Sequence, residues 1–378
     1  MPRKKLIWSG WNTPVSHEIA QSWQEIDKLP FDGITIDVAV DPAKPVRGDN
    51  TTGNRLAWNV FGPKPLKIED FKAQIADLKS ARWKNISSLF LTSAAASYGQ
   101  DHELTWFDEE RWATINNNWR TIATIAKEGQ CKGILFDPEH YDYGHVGAEL
   151  FNYEGHRAKR VDKSFAEYRA MANRRGREMM EAIKDIYPDM TMLCFFAYDL
   201  ALYDDKHENK TPETGRYSLL SAFLDGMLEG SDPRTKWTDS WEFAYGYKQR
   251  SQFLEGYHSV RQKAMQYSNV PDLYASKMRA GFGLMLDYNY STKWSVDDIS
   301  RNHFSPAEWK NTVQQALEIS DEYVIAYTQA PNFMTREKLP DAYWQATAEG
   351  RQAAQQNPAP PVFNAAVEWK EEPATIAE

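Results

Sequence analysis

The chain alternates between short, wholly apolar runs and longer stretches whose apolar residues recur every three or four positions. Runs of the first kind read as strands buried on both faces, and the second kind as amphipathic helices. Eight strands are predicted: Lys5–Ser9, Gly33–Val38, Ser87–Thr92, one inside Lys132–Tyr143, Thr191–Tyr198, Gly226–Glu229, Gly281–Tyr288 and Tyr323–Thr328. The helices between them carry buried stripes such as Ile19, Trp23 and Ile26, or Trp112, Ile115, Trp119 and Ile122. Helix starts are marked by Thr13 before Pro14, by Ser164 with Glu167, and by Ser305, Pro306 and Glu308. A last helix is expected over Pro340–Gln355.

Strict strand–helix alternation with eight strands predicts an α/β fold of the (β/α)₈ barrel type. Helix-to-strand connections are short, as in K-L-P-F-D and Y-P-D-M-T, whereas strand-to-helix connections are long and aromatic. One face of the barrel is therefore elaborated, and in such barrels that face does the chemistry. The competing doubly wound sheet needs a glycine-rich first turn, and W-S-G-W-N-T-P is not one. The barrel is expected to occupy residues 1–356 as one domain, followed by a flexible Pro/Ala-rich acidic tail over 357–378.

Composition narrows the partners. The formal net charge of −9 disfavours nucleic acid, whose phosphates call for a basic surface. No apolar run approaches the length of a membrane span, so no membrane partner is expected. No signal peptide is visible: the protein is periplasmic or secreted if one was removed, and cytoplasmic otherwise. Cys131 and Cys194 do not make a disulfide framework. With 14 Trp, 19 Tyr and 17 Phe, the chain is rich in flat amphipathic rings that suit sugar faces.

The chemistry centres on K-G-I-L-F-D-P-E-H-Y-D-Y, Lys132–Tyr143. Alternation along a strand puts Leu135, Asp137 and Glu139 on one face and Ile134 and Phe136 on the other. Other acids near predicted strand ends are Asp37, Asp199, Glu229 and Asp287. Carboxylates converging on an aromatic-lined cleft are what glycosidic hydrolysis requires: one donates a proton to the leaving oxygen, another stabilises the cationic centre or activates water. The expected catalytic set is Glu139, Asp137, Glu229 and Asp287, with Glu229 preferred over Asp287 as second carboxylate because G-M-L leads directly into it. Substrate contacts are expected from Trp8, Asp37, His140, Tyr141, Tyr198, Asp199, Trp237, Trp241, Glu242, Tyr245, Tyr288 and Tyr327.

G-I-L-F-D-P-E resembles the strand-four signature of the chitinase and endo-N-acetylglucosaminidase family of barrel glycoside hydrolases, Asp137 and Glu139 matching its last Asp and its Glu. The resemblance implies Glu139 as general acid and Asp137 as the residue that orients an N-acetyl group. Leu135 and Lys132 depart from the pattern, and F-A-Y-D at Phe196–Asp199 resembles a family motif but lies one strand early. Retaining barrel glycosidases instead pair an acid on strand four with a nucleophile on strand seven, here Glu139 with Asp287.

Two other readings stand beside a glycoside hydrolase. Asp137, Glu139 and His140, with His145 and His156 nearby, fit a metal-dependent sugar isomerase or hydrolase, although no H-x-H or H-E-x-x-H occurs. A non-catalytic carbohydrate-binding barrel is the third. For the hydrolase, no metal and no cofactor is expected.

Overall fold

The computed structural model describes residues 3–44, 46, 52–95, 104–140, 149–157, 163–201, 211–288 and 294–356. Tyr141, His145 and the tail over 357–378 lie outside them. Nine parallel strands run in chain order: β1 (Lys5–Gly10), β2 (Gly33–Ile36), β3 (Ser88–Ala94), β4 (Gly133–Asp137), β5 (Thr191–Cys194), β6 (Lys236–Asp239), β7 (Met278–Ala280), β8 (Phe282–Met285) and β9 (Tyr323–Thr328). Neighbours pair in the order β7-β6-β5-β4-β3-β2-β1-β9-β8. β7 and β8 are halves of one strand broken at Gly281: β7 pairs with β6, β8 with β9. A Cβ at Gly281 would meet Thr238 Cγ2 and the Tyr323 carbonyl oxygen, each at 2.7 Å, so only glycine lets the ring close there. The fold is a (β/α)₈ TIM barrel.

Ten α-helices are described: α1 (Ser16–Ile26), α2 (Lys72–Ser80), α3 (Glu109–Glu128), α4 (Tyr153–Arg157), α5 (Phe165–Glu181), α6 (Leu220–Gly230), α7 (Arg250–His258), α8 (Pro271–Lys277), α9 (Pro306–Ile319) and α10 (Asp341–Gln356). The capping boxes at Ser164–Glu167 and Ser305–Glu308 form, the serine hydroxyl accepting the glutamate N–H at 3.3 Å in each. At α1 the cap lies further on than Thr13: Val15 is the N-cap, its N–H donating to Glu18, while the Thr13 hydroxyl closes a turn on the Gly10 carbonyl.

Two layers of core result. Ile7, Phe90, Leu135, Leu193, Tyr323 and Ile325 fill the barrel interior. Leu6, Trp8, Ile34, Ile134 and Phe136 pack outward under the helices. β4 thus alternates with Leu135 inward and Ile134 and Phe136 outward, which carries Asp137 onto the interior side.

The predicted sixth strand is corrected. Gly226–Glu229 lies inside α6, and the sixth strand is Lys236–Asp239. Every residue from Leu220 to Leu228 is buried, so the helix shows no polar face to reveal its period. Its glycine serves a helix–helix contact, since a Cβ at Gly226 would sit 1.8 Å from the Asn173 carbonyl oxygen on α5.

Candidate active site

A cavity of about 640 Å³, open mouth included, lies at the carboxyl ends of the strands. Each wall comes from the element that ends there: Ser9, Gly10 and Trp11 from β1 and beyond, Thr35 and Asp37 from β2, Thr92 and Ala94 from β3, Asp137 and Glu139 from β4, Phe195 after β5, Glu242 and Tyr245 after β6, Tyr327 from β9. Arg55, Ala57 and Trp58 enter from the loop after β2.

Three carboxyls face one another here. Asp137 Oδ1 accepts the Glu139 N–H at 2.9 Å, which turns the chain at Pro138 and holds both acids on one wall. Burial pushes the Asp137 carboxyl well above the usual range, and the charges of Glu139 and Glu242 add to that. Glu242 is pushed up to about 7 by burial first; the Tyr245 hydroxyl that donates to it opposes the rise, and Glu139 and Asp199 reinforce it. Tyr327 stands over the same cluster, its ring 5.8 Å from that of Tyr245 and its hydroxyl donating to Gln329 at 2.9 Å. Asp37 is a further acid on the wall, raised to about 6 by burial against the opposing effect of Arg55. Its Oδ1 accepts the Val38 and Ala57 N–H groups, so it also ties the β2 loop down.

Another part of the wall is aromatic. Trp11 and Trp58 stack with centroids 5.9 Å apart and planes 6° from parallel, and the Arg55 guanidinium lies 5.8 Å from the Trp11 ring. A flat apolar surface beside a cluster of carboxyls is suited to hold a sugar ring face-on while its polar edge meets the acids.

Of the residues expected from sequence, Asp37, Asp137, Glu139, Glu242, Tyr245 and Tyr327 line the cavity. The others do not. Glu229 sits near the end of α6 on the outside of the barrel, accepting from Asn173 at 3.1 Å and 3.9 Å from Arg177 on α5; its candidacy fell with the strand. Asp287 is buried and spends both oxygens on the Gln329 and Ala330 N–H groups, which braces the loop after β9. Trp8 faces outward, its indole donating to Thr328 between Phe31 and Phe333. Trp237 is wholly buried under the helices, because alternation along β6 turns it away from the barrel interior.

Trp241 packs against Phe243 and donates to the Tyr247 hydroxyl, beneath the loop it was expected to project from. Tyr198 donates to Asp225 in the helix layer, and Asp199 is fully buried. Tyr288 packs edge-on against His303. His140 is turned from the cavity: its ring stacks on Tyr217 at 4.1 Å and Nδ1 accepts the Phe151 N–H. Sequence reasoning missed Trp11, Arg55 and Trp58. The two tryptophans were legible in W-S-G-W-N and L-A-W-N, segments that end or follow strands, whereas Arg55 carried no such signal.

Among the described residues, no group of three or more His, Cys, Asp and Glu side chains is arranged to hold a metal ion. Nor is any helix among them long and apolar enough to cross a membrane.

No protein-family model matches the chain, and no curated protein sequence matches it. Among solved structures it is similar to GH5_18 from Streptomyces cattleya in complex with GlcNAc, at 13% identity over 95% of this chain and 82% of that one, TM-score 0.49. It is similar to an endocellulase from Pyrococcus horikoshii in complex with cellotetraose, at 11% identity over 94% and 92%, TM-score 0.46. A GH18 chitinase from Pseudoalteromonas aurantia stands at 12% identity over 92% and 100%, TM-score 0.39. All three are glycoside hydrolases. Likenesses of this order assign neither activity nor substrate to this chain.

Proposed function

We propose that the protein is a glycoside hydrolase that cleaves a glycosidic bond of an oligo- or polysaccharide by carboxylate acid/base catalysis. The observation that carries this reading is the convergence of Asp137, Glu139 and Glu242 in one aromatic-walled cavity at the carboxyl ends of the strands. Like charges crowded in a partly buried site do not all ionise near neutrality, so the cluster retains a proton there. That proton belongs to the coupled group rather than to one residue. Glu139 is the residue we assign to deliver it to the leaving oxygen: it ends the strand-four motif on the cavity wall, and the resemblance of that motif gives the same role. Glu242 takes the place expected of Glu229 as the second carboxylate. Asp137 supports the pair from deeper in the barrel. Trp11 and Trp58 form the platform on which a sugar ring stacks.

The experiment is a panel of polysaccharides and chito- and gluco-oligosaccharides screened for released reducing ends, with proton NMR of the first-formed anomer on any substrate that turns over. Turnover lost in Glu139→Gln supports the reading. Binding without turnover across the panel points to the non-catalytic carbohydrate-binding barrel. A product of inverted configuration excludes both a covalent and a substrate-assisted route.

A further inference from the structure

Two more carboxyls lie behind the cavity wall. Asp199 follows β5, Asp239 ends β6, and both are fully buried. Each uses one oxygen locally: Asp199 Oδ1 accepts the Ala197 N–H at 2.6 Å, and Asp239 Oδ1 accepts the Trp241 N–H at 2.9 Å. The remaining oxygen of each, Oδ2, is buried and accepts from no donor, and the two side chains interact with each other. Two carboxylates are acceptors only, so a hydrogen bond between them requires a proton on one. A pair of bare charges in a fully buried site would cost far more than one shared proton.

We propose that Asp199 and Asp239 form a carboxylic acid–carboxylate pair, sharing one proton, that positions Glu242 and sets the pH at which Glu242 gives up its own proton. The inference rests on reading Glu242 as part of the reacting cluster.

The positioning follows from the corner after β6. Trp241 has φ of 37°, a left-handed conformation uncommon for a residue with a side chain, and it leads into the 3₁₀ turn Glu242–Gly246. The Asp239 carboxyl holds the Trp241 N–H, the Ser240 N–H donates to the Cys194 carbonyl at 2.9 Å, and the Gly281 N–H donates to the Asp239 carbonyl at 2.7 Å. The corner is thus tied to both neighbouring strands immediately before Glu242.

The charge follows from what faces Glu242: Asp137 and Glu139 from β4, Tyr327 from β9, Tyr245 on its own turn, and the pair from β5 and β6. The pair itself is faced by Cys194 on β5 and Tyr274 on α8, and Asp239 by Glu242; Asp137 also acts on Cys194, and Arg261 on Tyr274. Asp199 is one of the two anions that raise Glu242. Asp239 is raised well above the usual carboxylate range, by burial and then by Asp199.

The test is a carboxyl ¹³C titration of Asp- and Glu-labelled protein, assigned with Asp199→Asn, Asp239→Asn and Glu242→Gln. In the wild type, one of the two aspartate signals should remain protonated at pH 7. In either single variant the amide donates to the remaining carboxylate and the charge is unchanged, so the Glu242 midpoint should stay where it is. In the Asp199→Asn/Asp239→Asn double variant the anion is gone, so the Glu242 midpoint should fall by about one pH unit. Two ionised aspartates at pH 7, or a Glu242 midpoint unmoved in the folded double variant, would overturn the proposal. If the double variant does not fold, the wild-type spectrum alone decides. None of these readouts needs turnover, so a failure of the hydrolase reading appears separately, as no glycan cleaved while the titrations behave as stated.

Discussion

The carboxylates of the cavity are delivered by two different constructions. On β4, Asp137 and Glu139 stand where strand alternation puts them, and one hydrogen bond, from the Glu139 N–H to Asp137, completes the turn. Glu242 comes from beyond the end of β6, through a left-handed tryptophan and a 3₁₀ turn held by a buried aspartate pair. The first arm inherits its position from barrel register, which every neighbouring strand enforces. The second depends on a handful of local contacts. The first should therefore tolerate changes around it and fail when its own acids change, whereas the second should respond to changes behind it as well.

The largest effect is expected on the rigid arm. Glu139→Gln preserves shape and removes the transferable proton, so turnover should fall by roughly 10²–10⁴, the usual scale for losing a general acid. Steady-state kinetics on whichever glycan is released fastest would measure it. A variant within a few-fold of wild type would move the acid role across the cavity to Glu242.

On the loop arm, the pH profile is more telling than the size of the loss. Burial, Glu139 and Asp199 hold Glu242 at about 7, so its proton is present below that pH and lost above it. As the second carboxylate Glu242 acts in its ionised form, so activity should rise as pH rises through about 7. In Glu242→Gln, residual activity should no longer show this limb. A limb retained unchanged in that variant would assign it to Asp137 or Glu139 instead.

These constructions also account for what the sequence disclosed. β4 was legible because an apolar run of fixed period leads straight into its acids. β6 was not: K-W-T-D is four residues long and three of the four are polar. In the neighbouring L-S-A-F-L-D-G-M-L-E-G, the run Gly226–Glu229 looked like a strand because a helix buried all round loses the polar stripe that betrays its period. That single exchange put Glu229 where the barrel presents Glu242 and sent Trp237 to the wrong side of the barrel wall. The barrel survived it, because eight alternations constrain topology more tightly than any one of them.

A smaller effect is expected at the aromatic wall. Trp11 is half-buried and presents its ring beside Trp58 at the cavity. Trp11→Ala should weaken glycan binding by about 1–3 kcal/mol, on the scale measured for flat rings stacked on aromatic side chains. Isothermal titration with an inactive Glu139→Gln background would measure it without turnover. Trp241→Ala is the informative contrast: its indole packs under the loop and donates to Tyr247, so the loss should appear as a lower melting temperature with Glu242 misplaced. Equal losses of affinity in the two variants, with both equally stable, would dissolve the distinction between wall and support.

The smallest effect belongs to the residue that the misread strand had promoted. Glu229 is an acid on the outer surface of the barrel, about a third exposed, bonded to Asn173 and 3.9 Å from Arg177. An ion pair in that setting contributes little, because solvent screens it and two long side chains must be held in place to keep it. Glu229→Gln keeps an acceptor for Asn173 and gives up only the charge. Its kcat/KM should equal that of wild type, and its unfolding free energy should lie within about 0.5 kcal/mol, as for most surface substitutions. Chemical denaturation and the same glycan assay would check both numbers side by side. A loss of activity at constant stability would place Glu229 in contact with the reaction, and no arrangement of α6 packed by its glycines against α5 would then be compatible with the result.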